Sequence, residues 1–186
     1  QIRESYRAGK GSRSTYYGRL RPEMPAYTIN TYFNRPGNGC NMHYDQDRTL
    51  SQREAARFQS FPDSFEFIGS LGAINNQIGN AVPPLLAYQI AKNIPFTGQF
   101  VDLFCGAGGL ALGFVWAGWT PIIGNDIDHY AVKTHKRNLG GEVIAGDINH
   151  QEVHRAIAAA AAAAKKANPN LPLFVLGGPP CQGFST

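Results

Sequence analysis

The sequence predicts an α/β protein with a doubly wound, mainly parallel sheet, and three observations lead to this class. Apolar runs alternate with helix-forming segments through the second half of the chain. A glycine-rich turn follows the first apolar run and opens a helix. The strand-helix order continues until four strands are reached, and parallel strands require such helical crossovers. Ligands of these sheets bind at the carboxyl ends of the strands.

Four strands and three helices are predicted in the second half. The strands are short and apolar and cover residues 100–104, 121–124, 142–145 and 173–176. A helix follows each of the first three strands, over residues 109–117, 128–138 and 150–167. The alanine run in the last helix favours helix formation and predicts a surface helix.

The first half is irregular and carries most of the arginines. Residues 27–33, rich in threonine and aromatic side chains, predict a strand. Ser51 and Glu54 have the spacing of a capping box and predict a helix that ends before Pro62. The Pro83-Pro84 pair predicts the start of a helix over residues 85–92.

The composition changes near residues 94–99, which indicates a link between two segments. We expect a first segment of 1–93, a link of 94–99 and a second segment of 100–186. A chain of 186 residues is the size of one domain. The net charge of +4 is compatible with a polyanionic partner and does not establish one.

The cysteines and the hydropathy indicate a soluble protein of the reducing cytoplasm. The three cysteines are widely spaced, which suits neither a disulfide framework nor a CxxC metal site. No apolar run approaches the roughly 20 residues that span a membrane.

A nucleotide site is predicted at the glycine-rich turn. Residues 106–111 (GAGGLA) match the G-x-G-x-x-G/A pattern, and Asp126 follows Gly106 by 20 positions. A carboxylate there can bond ribose hydroxyls, and Asp147 follows the next strand. The ends of three consecutive strands therefore carry glycine, aspartate and aspartate. These residues alone fit a dinucleotide and S-adenosylmethionine equally well.

Cys181 is a candidate nucleophile at the end of the fourth strand. It follows Pro179-Pro180 and is flanked by glycines, which makes the thiol rigidly held and approachable. A buried, inert cysteine in a turn is the alternative.

Two helical pairs have weaker functional interpretations. His150 and His154 lack the order of a zinc-protease motif and are better explained by a solvated helix face. Arg53 and Arg57 suit structural pairing and contact with DNA phosphates equally well. We predict no metal site.

Six stretches of the chain resemble the signature motifs of the C5-cytosine methyltransferases. Residues 100–110 (FVDLFCGAGGL), 125–128 (NDID), 146–148 (GDI) and 179–185 (PPCQGFS) look like motifs one to four. Residues 48–63 look like the ninth motif, and residues 77–84 (QIGNAVPP) like the tenth. The resemblance covers roughly 25–92 and 100–186.

The motif order is circularly permuted relative to that family, because the ninth and tenth motifs precede the first four. We assign no residues to motifs five to eight, including the Glu-Asn-Val motif, whose glutamate protonates the base, and the Arg-x-Arg motif. We therefore expect a second polypeptide that carries these motifs and the target-recognition region, of which segment 1–93 holds only the edge.

The resemblance implies a DNA cytosine-5 methyltransferase fold that is incomplete in this chain, and an enzyme of a restriction-modification system that acts on double-stranded DNA. Cys181 would attack C6 of a flipped cytosine, and S-adenosyl-L-methionine would donate the methyl group. The residues implied to bind this donor are Phe104, Gly106, Gly108, Asp126, Ile127, Asp147, Ile148 and Asn80.

Three rival functions remain open at this stage. The family's tRNA-methylating branch has the same motifs. The second rival is a non-catalytic donor-binding module. The intact Pro-Pro-Cys motif argues against it, because a module without catalysis would not need to keep its thiol. A nicotinamide-dependent oxidoreductase would explain only the glycine turn.

Overall fold

The computed structural model describes residues 17–180, which form a four-stranded parallel sheet with helices on both sides. The strands are β1 (Gln99–Leu103), β2 (Thr120–Asp126), β3 (Glu142–Ala145) and β4 (Leu173–Gly177). They lie in the order β3-β2-β1-β4. The chain thus runs outward from β1 to β3 and then crosses back to add β4 on the other side of β1. The predicted α/β class with a doubly wound parallel sheet is confirmed.

Six α-helices accompany these strands in the described part of the chain. The first half forms α1 (Gln52–Phe58), α2 (Leu71–Gly79) and α3 (Pro84–Lys92). The crossovers of the second half are α4 (Gly109–Trp116), α5 (His129–Leu139) and α6 (Gln151–Ala167). Each strand and helix predicted in the second half is present, with boundaries that differ by at most three residues. No helix within residues 17–180 has both the length and the hydropathy needed to cross a bilayer.

The strand predicted over residues 27–33 is wrong. The chain there is irregular and then turns, because the side-chain oxygen of Asn30 accepts a hydrogen bond from the Tyr32 amide at 2.8 Å. Phe33 is fully buried in the core while Tyr32 is exposed. This alternation of buried and exposed aromatic side chains resembles a strand in the sequence, but it arises here from a turn.

The capping box predicted at the start of α1 is confirmed. The Glu54 amide donates to Ser51 Oγ, and the Glu54 carboxylate accepts from the Ser51 amide at 2.8 Å. The Arg48 guanidinium donates to both carboxylate oxygens at 2.7 and 2.8 Å. These hydrogen bonds lower the pKa of the Glu54 carboxyl to about 2. Arg48, in the loop before the helix, is thereby fixed to its first turn.

The two halves of the chain meet where α3 crosses α4 at very short range. A Cβ at Gly113 of α4 would overlap Ala87 Cβ and the carbonyl oxygen of Pro84 in α3. A Cβ at Gly109 would overlap the carbonyl oxygen of Val82, just before α3. Only glycine permits this approach, so α4 combines an apolar sequence with two glycines on the face that contacts α3.

A second contact holds the first half against α5. Asn138 donates from its amide nitrogen to the carbonyl oxygen of Glu66 at 2.8 Å and accepts from the Glu66 amide at 2.8 Å. Thr134 Oγ1 accepts from the Ile68 amide at 2.8 Å. Residues 66–68 are therefore held along α5 by hydrogen bonds between their backbone and the side chains of α5.

One carboxylate lies in the apolar interior of the sheet. Asp102 of β1 is 2% exposed, and neither of its oxygens has a hydrogen-bond partner among the described residues. Burial, together with the nearby charge of Asp126, raises the pKa of Asp102 to about 7. The charged form of this side chain therefore opposes folding.

We predict that Gly113→Ala destabilises the protein by about 1–3 kcal/mol, because the added methyl group pushes α3 away from α4. Gly72→Ala is the matched control, since nothing lies within 4 Å of a Cβ at this helical glycine. The control should be stabilised by about 0.5–1 kcal/mol through its higher helix propensity. Urea unfolding measures both changes. Equal effects of the two substitutions would contradict the short crossing.

We also predict that Asp102→Asn increases stability relative to the wild type as pH rises. An unfolded aspartate titrates near 3.9, and the pKa of Asp102 is about 7 in the folded state. The stability associated with a raised pKa is fully present below the lower value and is lost as pH rises to the upper value. The variant's advantage should therefore grow by up to about 1.4 kcal/mol per pH unit between the two values and then level off.

Unfolding free energies measured at intervals across this range, with the exposed Asp45→Asn as control, test the Asp102 prediction. The control should show no comparable rise. A constant difference between Asp102→Asn and the wild type would mean that Asp102 titrates normally in the folded protein.

Candidate functional site

A cavity of about 690 Å³ opens at the carboxyl ends of the parallel strands. It is lined by residues at and after the ends of β1, β2 and β3, by Asn76 and Gln77 of α2 with residues 80–82 of the loop after it, and by residues 178–180 after β4. It therefore lies where the strand order reverses, between β1 and β4, as expected for a ligand site in a doubly wound sheet.

The turn after β1 brings Phe104 and the bare backbone of Gly106 to the cavity wall. Phe104 (φ 54°) and Gly106 (φ 53°) both adopt the left-handed conformation, which is costly for phenylalanine. This backbone reverses the chain directly after the strand, and both residues line the cavity. Nothing lies within 4 Å of a Cβ at Gly106, so a ligand can approach its backbone closely.

Asp126 links the ends of β1 and β2. Its Oδ2 accepts from the Gly106 amide at 2.8 Å, and its Oδ1 accepts from the Asp128 amide at 2.9 Å. An ionised carboxylate has about four acceptor positions, so capacity remains for ligand hydroxyls. Asp126 therefore shapes the glycine turn and offers charge to the cavity that it lines.

Gly108 is the one predicted donor-binding residue that does not line the cavity. It precedes α4 with φ 97°, and a Cβ there would overlap Leu139 and the His135 ring of α5. The packing of the turn against α5 therefore requires glycine at this position. His135 is 3% exposed, and burial lowers its pKa to about 4, as expected for a neutral core histidine.

The ends of β2 and β3 supply the remaining predicted side chains. Ile127 lines the cavity and is 72% exposed, which is unusual for an isoleucine. Asp147 and Ile148 line the cavity after β3. Asp147 Oδ1 accepts from the Asn149 amide at 2.9 Å, and this hydrogen bond lowers the pKa of the Asp147 carboxyl.

The first half of the chain contributes Asn80, as predicted, and two residues that sequence reasoning missed. Asn76 and Gln77 of α2 also line the cavity. The Gln77 amide nitrogen donates to the carbonyl oxygen of Ile68 at 2.9 Å, which fixes the side chain. The capping serine, Ser70, was the available sequence signal for α2, since its Oγ accepts from the Ala73 amide.

These side chains suit a nucleoside with a charged tail, such as S-adenosyl-L-methionine. Asp126 and Asp147 can accept hydrogen bonds from a ligand, and Ile127 and Ile148 offer apolar surface to a ring. A ligand group can approach the Gly106 backbone closely, because no side chain covers it. The cavity volume lies within the roughly 300–1,000 Å³ that is typical of small-molecule sites.

The predicted nucleophile Cys181 lies outside the described residues, directly after the cavity-lining Pro180. Cys105 lines the cavity wall and is 5% exposed. Burial, together with the charges of Asp102 and Asp126, raises the pKa of the Cys105 thiol far above its usual range. Cys105 is therefore a protonated, unreactive thiol, as expected for a wall residue.

The arginines of α1 make structural contacts. Arg53 donates to the carbonyl oxygens of Pro62 and Phe65 at 3.2 and 2.9 Å. Arg57 forms a two-pronged ion pair with Asp63 at 2.7 and 2.8 Å. Of the two interpretations left open for this pair, the structure therefore favours structural pairing.

An Arg-x-Arg triplet does occur in the chain, at residues 19–21. Arg19 donates to the carbonyl oxygens of His43 and Gln46 and to the Asp47 carboxylate, all within 2.7 Å. This triplet therefore belongs to a structural loop. Residues 17–180 contain no group of three or more histidine, cysteine or acidic side chains placed to hold a metal.

Comparison with known proteins gives a family match over nearly the whole chain. The model of the C-5 cytosine-specific DNA methylases matches residues 2–95 and 98–186. The DNA (cytosine-5-)-methyltransferase M.ApeKI of Aeropyrum pernix is 51% identical over 81 residues, which cover 42% of this chain and 17% of the relative. The type II methylase M.HgiDII of Herpetosiphon aurantiacus is 44% identical over 98 residues, 50% of this chain and 28% of the relative.

The type II methyltransferase M.AplI of Arthrospira platensis is 64% identical over 50 residues, 27% of this chain and 14% of the relative. The alignments thus span less than a third of each relative's length. A solved protein structure from Methanococcus maripaludis overlaps 57% of this chain and 46% of its own, at 12% identity and a TM-score of 0.31. The family uses S-adenosyl-L-methionine as its methyl donor. On the family match, the chain belongs to the C-5 cytosine-specific DNA methylases.

Proposed function

We propose that this chain is the donor-binding and nucleophile-bearing part of a DNA cytosine-5 methyltransferase of a restriction-modification system. Segments 1–93 and 100–186, joined by the link 94–99, together enclose the donor site. The observation that carries the proposal is the cavity at the strand ends, with Asp126 on one side and the Pro179-Pro180 stretch leading to Cys181 on another.

The donor site is assigned to the cavity residues named above. Phe104 and Gly106 would lie near the methionine part of S-adenosyl-L-methionine, and Asp126 would accept from its ribose hydroxyls. Asn80 would close the pocket. Ile127, Asp147 and Ile148 would hold the adenine ring, and Gly108 would act by keeping the turn packed on α5. When bound, the donor supplies a methyl group that the adjacent sulfonium makes electrophilic.

Cys181 would act on a cytosine turned out of the duplex, because the ring carbons are unreachable within the base stack. Its thiolate forms a bond to C6, and the electrons of the C5–C6 double bond make C5 nucleophilic. C5 would then take the methyl group, and the sulfur–methyl bond of the donor would break so that its sulfur leaves as a neutral thioether. Loss of the C5 proton to a base re-forms the double bond and breaks the S–C6 bond, which returns the thiolate.

The addition step needs an acid near N3 of the ring, and we assign that acid to a second polypeptide. General acid catalysis is typically worth about 10²–10⁴-fold in rate. The open edge of the sheet offers a place for this polypeptide. Within residues 17–180, β4 pairs with β1 alone, and Val175 of β4 is 67% exposed. Further parallel strands would complete the sheet there.

We predict that Asp126→Asn weakens S-adenosyl-L-methionine binding by roughly 10–100-fold, equivalent to about 1.4–2.8 kcal/mol. The neutral amide has lost one acceptor, so it cannot bond both backbone amides and the ribose as the carboxylate does. Calorimetry on the whole chain measures the change, with the exposed Asp45→Asn as control. Tighter binding of a nicotinamide dinucleotide than of S-adenosyl-L-methionine by the wild type would refute the assigned donor site.

The nucleophile is tested with duplex DNA that contains 5-fluorocytosine at the target, in the presence of the complementing polypeptide. Fluorine at C5 blocks the final elimination, so the thiolate adduct should persist as a covalent complex on a denaturing gel. Cys181→Ser should abolish trapping, because a serine hydroxyl is a poor nucleophile without a dedicated base. Cys105→Ala should retain most of it.

Two further results complete the trapping experiment. The chain without its complement should trap little DNA, since the acid is missing. Trapping by folded Cys181→Ser together with its loss in folded Cys105→Ala would reverse the assignment of nucleophile and wall residue.

A further inference from the structure

The excess positive charge of the chain is confined to its first fifty residues. This stretch has eight basic and four acidic residues, whereas residues 51–186 have nine of each. Two of its arginines, Arg19 and Arg48, are paired with carboxylates at 2.6 and 2.7 Å. Within the described part of the chain, no carboxylate forms an ion pair with Arg35, whose side chain is exposed. Arg35 is thus available to an anionic partner.

Arg35 belongs to an exposed cluster with two tyrosines, which we call the Tyr-Arg patch: Tyr17, Tyr32 and Arg35. The Arg35 guanidinium carbon lies 4.7 Å above the centre of the Tyr32 ring. The Tyr17 amide donates to the carbonyl oxygen of Pro36 at 2.9 Å, so the third member adjoins the other two. Tyr17 is 66% and Tyr32 50% exposed.

The loop that carries this patch is rigidly held. Phe33 is fully buried in the core beside Tyr32. The Asn30 side chain bridges the loop, since it accepts from the Tyr32 amide at 2.8 Å and donates to the carbonyl oxygen of Asn38 at 3.0 Å. The exposed aromatic rings are therefore presented on a fixed backbone, which lowers the entropy cost of binding a partner.

The Tyr-Arg patch lies near the donor cavity. A Cβ at Gly79 would overlap the backbone of Asn30 and Thr31, so the residue before Tyr32 packs against the end of α2. The next residue, Asn80, lines the cavity. Thr31 adjoins Tyr32 of the patch, and Gly79 adjoins Asn80 of the cavity wall. The contact between Thr31 and Gly79 therefore connects the patch to the cavity wall.

We propose that the Tyr-Arg patch binds the DNA strand that carries the target cytosine, close to the flipped nucleotide. The Arg35 guanidinium, stacked on Tyr32, contacts a backbone phosphate with its outward N–H groups, and the tyrosine rings contact sugar and unstacked base. Exposed aromatic rings beside unpaired arginines are the combination that unpaired nucleic acid strands bind. This inference rests on the proposed function, since it assumes a flipped base at the cavity.

Fluorescence anisotropy with the whole chain and a labelled duplex tests the phosphate contact. Arg35→Ala should raise the dissociation constant roughly three- to tenfold and reduce the slope of its salt dependence by about one. Arg155→Ala is the matched control, because Arg155 is exposed on α6, far along the chain from the patch. It should leave both quantities unchanged.

A duplex with one unpaired cytosine tests the aromatic contact. Tyr32→Ala should weaken binding to this duplex roughly fivefold or more, whereas Tyr32→Phe, which keeps the ring, should bind like the wild type. Equal effects of Arg35→Ala and Arg155→Ala, or no binding of DNA by the wild type, would overturn the proposal. Tighter binding to RNA of the same sequence, weakened by Arg35→Ala, would overturn the choice of DNA.

Calorimetry with S-adenosyl-L-methionine separates this inference from the proposed function. The variants of Arg35 and Tyr32 should all bind the donor like the wild type, because neither residue lines the cavity. Loss of donor binding by the wild type would count against the proposed function itself. If donor binding and Cys181 trapping are normal but Arg35→Ala does not weaken DNA binding, the proposed function stands. Only the proposed role of the Tyr-Arg patch is then refuted.

Discussion

The short crossing of α3 over α4 is the contact on which the site depends. Gly109 and Gly113 allow the backbone around Val82 and Pro84 to touch α4 directly. The same α4 begins at the glycine turn that forms the cavity wall. A separation of these helices by one methyl group would therefore shift Asn80 relative to the turn after β1, because this packing holds the two close together.

Within that frame, polar groups at the strand ends position one another before any ligand arrives. Asp126 joins the Gly106 and Asp128 amides, so one carboxylate sets the turn after β1 and the start of α5. The Asn125 side chain donates to the carbonyl oxygens of Ile144 and Gly146 at 3.1 and 3.0 Å, which fixes the end of β3. The cavity wall is therefore preorganised.

Sequence patterns predicted those parts of the fold that depend on residues close together along the chain. The spacing of Ser51 and Glu54 predicted α1. The alternation of apolar runs and helices predicted the sheet, and hence that Asp126 and Asp147 lie at the same edge of it. The strand at 27–33 failed because the side chain of Asn30 competes for the backbone. The cavity role of Gln77 was not predictable either, since it depends on α2 docking beside Ile68, a contact between segments. The part of the site after Pro180 stays a prediction.

The distribution of charge suggests why the two halves of the chain differ so much in character. The donor half is neutral, and its acidic side chains at the cavity suit hydroxyl and amine donors while repelling phosphates. The first fifty residues carry the whole positive excess, although the ion pair of Arg48 with Glu54 offsets part of it locally. In the proposed function a DNA strand passes close to the cavity, and electrostatics then favours basic groups outside an acidic pocket that repels phosphates. Arg35, two residues along the chain from Phe33 in the core, is the group that we propose for such a phosphate contact.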